Sequence, residues 1–262
     1  MGESENDRFE VLPALAEVGG PVLGEVIASS SGLPPGCGAG LGAGFSIAMR
    51  YLFGETKRLF SPREKRRVLT VLALSAKAIE RERAAGKQLR SDEFFNRKID
   101  DRTTAEELGE AVIYAAYDEH EERKLPFLAN LYASFGFDVH VDRAMANYLV
   151  KLGSALTYRQ YCLLEIANDR HGYDLKPFGV LNRSGQENPT QVFAALAECF
   201  ELYRFGLVKF SLQFGPITKV DDISLQSMEL DTPMGAYLHL GMRLQEIASE
   251  DIAEVAKLLS AP

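Results

Sequence analysis

The rare reactive side chains of this sequence are four histidines and three cysteines. His120, His140, His171 and His239 never form a close pair, and no His-Glu-x-x-His or Cys-x-x-Cys spacing occurs. His120 lies among Asp118, Glu119, Glu121 and Glu122, but a bundle metal site wants Glu-x-x-His, and position 117 is Tyr117. It reads as a surface histidine on a solvated acidic face. His140 and Asp142 could touch locally, yet two ligands do not make a site. Cys162 and Cys199 fall on apolar helix faces and read as small core residues. Cys37, flanked by glycines, reads as accessible, but no neighbouring base or cation would lower its pKa. Gly44-Phe45-Ser46-Ile47-Ala48 lacks the second glycine of a nucleophile elbow and any preceding strand. No catalytic residue, metal or cofactor is expected.

The glycines invite a phosphate-loop reading and then refuse it. Gly38, Gly40 and Ala43 satisfy a degenerate dinucleotide pattern, but Leu33-Pro34-Pro35 stands where a strand is required. Gly36, Gly40 and Gly44 share one helical face, so close packing of short helices (roughly 20–30 and 38–53) is the better reading. The run Val26–Met49 carries no charge over twenty-four residues, long enough to cross a bilayer. Its internal prolines and glycines would leave backbone groups unpaired in hydrocarbon, which argues against a span.

Charge is more informative. Lys57, Arg58, Arg63, Lys65, Arg66 and Arg67 set six cations against Glu64 alone within eleven residues, in a chain of net charge −8. Four of them occupy the first turns of a helix, where the dipole disfavours cations. An anionic partner is implied. The chain's own Asp118–Glu122 run is the favoured one, and an anionic membrane surface beside the uncharged glycine-rich segment is the alternative. From Ser154 onward, nine basic residues face fourteen acidic ones, a poor supply for phosphate contacts, so nucleic acid is an unlikely partner.

The elements that would carry these residues are mostly helices. Ser61, Pro62 and Glu64 write a capped start, Val68, Leu72, Ala76 and Ile79 recur at helical spacing, and Gly86 stops the run. Thr103 with Glu106 begins a second helix, with Leu108, Val112 and Ala115 as its stripe; a kink is expected at Pro126. Asp142 and Thr157 cap two more, the former with Met145, Tyr148, Leu149 and Leu152 on one face. A loop follows over 171–188. Pro189 then opens a helix with Phe193, Leu196, Ala197, Phe200 and Tyr203 on one side, closed by Gly206. Leu207–Gln213 and Ile223–Met228 read as paired strands around Gly215-Pro216. Thr232-Pro233 caps another helix, and Ile252, Val255, Ala256 and Leu259 stripe a last one.

Two short patterns resemble a MarR-type winged helix. Leu202, Gly206, Leu207 and Val208 match its helix-to-wing exit, and Leu230, Thr232 and Gly235 match the re-entry into a helix. The layout also resembles uncharacterised bacterial proteins near the abortive-infection alpha group, through Glu122, Arg123, then Leu128, Ala129, Asn130 and Leu131. That resemblance implies a bacterial protein linked to phage defence and supplies no catalytic residue.

The expected fold is mainly α: a glycine-rich N-terminal segment (1–55), a helical bundle (56–153) and a winged-helix-like α+β domain (154–262). The expected function is a non-enzymatic protein-interaction component of bacterial stress or phage defence, working as a homo-oligomer or part of a complex. The alternatives are a membrane-associating effector using the basic cluster, and a DNA-binding regulator. The acidic first ten residues lack an apolar core, and the three cysteines make no disulfide framework. A cytoplasmic location is expected, with peripheral attachment to the inner membrane as the variant.

Overall fold

A computed structural model of the chain describes residues 61–95, 103–169, 172, 173, 175, 189–211, 217–220 and 223–260. The expectations for residues 1–60, which include Cys37, Lys57 and Arg58, lie outside the described residues, as do His171 and the Gly215-Pro216 turn. The chain is mainly helical, with eight α-helices and one short two-stranded ribbon among the described residues. It divides into two units between Ala155 and Leu156.

In the first unit, α1 (Pro62–Ala84) starts with a capping box. The Ser61 hydroxyl accepts from the Glu64 amide at 3.3 Å, and the Glu64 carboxylate accepts from the Ser61 amide at 2.7 Å. Val68, Val71, Leu72, Ser75, Ala78 and Ile79 turn inward, the spacing of one helical face. The helix ends in a Schellman motif: the Gly86 amide donates to the Arg83 carbonyl (2.9 Å) and the Lys87 amide to Glu82 (3.1 Å). A second capping box, Thr103 with Glu106, opens α2 (Thr104–Asp118), which buries Ala105, Leu108, Val112, Ile113 and Ala116.

Between α2 and α3 (Leu125–Phe135) the chain breaks completely, with a 3-10 turn at Glu122–Lys124. The expected kink at Pro126 is therefore a helix start. Proline lacks the amide proton that a first turn leaves unused, so it initiates where an interior proline would bend. All of α3 except Pro126 and Ser134 is buried, as suits a helix apolar on every side. It packs against α1, α2 and α4 (Arg143–Ala155) and forms the centre of the unit. The Leu128-Ala129-Asn130-Leu131 run lies wholly in this core, with Asn130 accepting from Arg81 Nη2 at 3.1 Å. Asp142 caps α4 through the Met145 amide at 2.7 Å. The Glu107 carboxylate then ties α2 to α4 by accepting from Asn147 Nδ2 (2.6 Å) and from Arg143. Of the expected α4 face, Leu149 and Leu152 are buried, whereas Tyr148 is exposed and Ala146 and Val150 take the inner positions.

In the second unit, Thr157 and Gln160 box the start of α5 (Tyr158–Asn168), whose residues from Gln160 to Leu164, with Ile166 and Ala167, are buried. It packs against α6 (Pro189–Arg204), α7 (Pro233–Met242) and α8 (Ser249–Leu259). The inner face of α6 is Val192, Ala195, Leu196, Cys199 and Leu202. That corrects the expected face by about one residue's rotation. Both stripes are apolar at helical spacing, and packing against α5 and α8 decides between them. A Schellman motif closes α6: Gly206, at φ +69°, donates to Tyr203 (2.9 Å), and the Leu207 amide donates to Leu202 (3.0 Å). The expected strands shorten to an antiparallel ribbon of β1 (Lys209–Phe210) and β2 (Met228–Glu229), in register Lys209 to Glu229 and Phe210 to Met228. Leu225–Ser227, inside the second expected strand, forms a 3-10 turn instead.

Candidate functional site

The start of α1 concentrates basic charge at a helix end where the dipole disfavours it. Lys57 and Arg58 lie outside the described residues. Of the other four, Arg63 is well exposed, with Nε donating to Glu122 Oε1 at 2.9 Å. Arg66 is exposed and Lys65 half-buried. Arg67 is buried, and its Nη1 donates to the Glu119 backbone carbonyl, while its Nε is buried without a hydrogen-bond partner. Two of the cations thus meet the Asp118–Glu122 run, at its Glu119 and Glu122 positions.

Below them lies a desolvated ion pair. Lys124 Nζ and Glu119 Oε2 are 2.5 Å apart, both side chains less than a tenth exposed. Lys124 also donates to the Ser154 carbonyl (2.9 Å), and Glu119 Oε1 accepts from the Glu121 amide (2.8 Å). Such a pair holds only while every polar atom is satisfied, because both charges have been taken out of water. The Glu64 carboxyl is held below the ordinary carboxylate range, chiefly by the Ser61 amide, with smaller help from Tyr117 and Arg67. The acidic run therefore works as a brace for the end of α2 and the start of α1.

A charge-reversal series follows from this geometry. Arg66→Glu changes thermal stability little, since an exposed substitution away from special features stays within about 0.5 kcal/mol. Arg67→Glu unfolds the first unit at markedly lower urea, because a buried carboxylate would face the Glu119 carbonyl. Wild-type protein is expected not to float with anionic vesicles at low salt. Flotation that Arg63→Glu and Arg66→Glu together abolish, with melting unchanged, would instead establish a membrane contact.

Among the described residues, both thiols and one of the three histidines are buried. Cys162 and Cys199 are buried thiols, and burial, aided by Glu198, pushes the Cys199 thiol up to about 12, far from a thiolate. His120 and His140 are exposed. His239 is buried, its Nε2 2.5 Å from Glu165 Oε2, linking α7 to α5 across 74 positions of sequence. No local spacing announces that pair. No group of three or more potential metal ligands occurs among the described residues. None of their helices is long and apolar enough to cross a membrane.

Sequence reasoning also missed Arg90. Its side chain is only 3% exposed, and its fork meets Asp92 at 2.7 and 2.5 Å. Its Nη1 donates to the carbonyls of Phe135 (3.2 Å) and Val141 (2.9 Å), and the guanidinium lies over the Phe94 ring, 4.2 Å from its centroid. The Arg90 hydrogen bond holds the Asp92 carboxyl below its ordinary value. A depressed carboxyl stabilises the fold above its unfolded pKa and stops doing so as acid protonates it. Melting temperatures of wild type and Asp92→Asn should therefore differ most at neutral pH and converge below about pH 4. A gap that is constant from neutral to acid pH would contradict this role.

In the second unit, the residues that follow α6 meet those that open α7. The Thr232 hydroxyl donates to the Leu207 carbonyl (3.0 Å) and accepts from the Gly235 amide (2.9 Å). A Cβ built on Gly235 would stand 2.0 Å from the Leu207 carbonyl oxygen. Only glycine permits that approach. The Leu230 amide donates to the Ala167 carbonyl at 3.2 Å, fastening the exit of the ribbon to the end of α5. On α6, the carboxylate of Glu198 is forked by Arg159 (2.6 and 2.9 Å), and Glu201 accepts from Gln160 (2.9 Å). Phe193 is 46% exposed on the same helix, and Phe200 and Tyr203 stack along it at 6.5 Å between centroids. Comparison of the chain with protein-family models, with curated proteins and with solved structures gave no match in any of the three.

Proposed function

We propose that the chain is a non-enzymatic protein-interaction component whose second unit is a winged-helix-like module used for contact with another protein. The outward surface of α6 carries this reading. A DNA-reading helix in this position draws on several arginines and lysines for phosphates and base edges. Here the helix has Arg204 as its one basic residue, two carboxylates engaged by Arg159 and Gln160, and an outward phenylalanine. Exposed aromatic side chains are what protein interfaces enrich. A role in bacterial stress or phage defence, as a homo-oligomer or within a complex, extends the proposal on the resemblance to the abortive-infection alpha group.

Purified protein is expected to show no salt-sensitive binding to duplex DNA at micromolar concentration. A steep loss of binding between low and physiological salt would overturn the reading, since that slope reports released counterions. Size-exclusion chromatography and cross-linking of wild type beside Phe193→Asp supply the positive arm. An oligomer or a defined partner complex that the variant loses, with unchanged melting, supports contact through α6. An assembly retained in full by Phe193→Asp removes this surface from the proposal.

A further inference from the structure

We draw no further inference here: the strongest candidate, the half-exposed aromatic edge of α6 around Phe193 and Phe200, belongs to the surface already proposed for protein contact, and nothing in the structure shows what covers it.

Discussion

Gly235→Ala is expected to destabilise the second unit by about 3 kcal/mol, the upper end of the usual cost of overpacking. The added methyl would lie 2.0 Å from the Leu207 carbonyl oxygen and 2.8 Å from Thr232 Oγ1. A backbone oxygen cannot swing aside as a side-chain tip can. Relief requires the start of α7 to move away from the end of α6, which breaks the Thr232 bridge. Thr232→Ala alone should cost about 1 kcal/mol, the ordinary worth of a helix cap. Because both changes open the same junction, the double variant should lose less than the sum of the two. Urea denaturation monitored by circular dichroism measures all three. An unshifted midpoint for Gly235→Ala would mean that the two helices are not held at this distance.

Arg90→Ala is expected to cost about 3 kcal/mol, because two carbonyls below the surface lose their donor at about 1–3 kcal/mol each, whereas the half-exposed Asp92 can be rehydrated. Asp92 would lose its fork, and the carbonyls of Phe135 and Val141 would lose a donor below the surface. The alkyl stem and the cation over Phe94 disappear as well. Arg90→Lys should recover less than half of the loss, because an ammonium cannot span a carboxylate and two carbonyls in one plane. Hydrogen exchange gives a local reading: amides near 89–95 and 135–142 should lose protection in both variants. Lysine performing as well as arginine would show that charge alone matters there.

Helix beginnings were legible because their chemistry is local. Ser61 with Glu64, Thr103 with Glu106 and Thr157 with Gln160 close reciprocal hydrogen bonds across three residues, and each pair forms as its residue types demand. Gly86 and Gly206 end their helices for an equally local reason, a backbone turn that closes on the last carbonyls. Pro126 was the exception. Its ring marks a discontinuity but does not say whether the chain bends or begins again.

By itself, then, the sequence determined a mainly helical chain, the starts of most described helices, the glycine-marked ends of two of them, and a net charge of −8. It did not determine which apolar stripe of α6 turns inward, because Val192–Leu202 and Phe193–Tyr203 are both amphipathic solutions until α5 and α8 supply a surface. Nor did it show that Arg67 is buried on Glu119, that Arg90 joins Asp92 to two distant carbonyls, or that His239 meets Glu165. Spacings within one helical turn are encoded by neighbours along the chain. Pairs separated by tens of residues form only where packed helices exclude water and make an unpaired charge too costly to leave, so tertiary structure alone decided them.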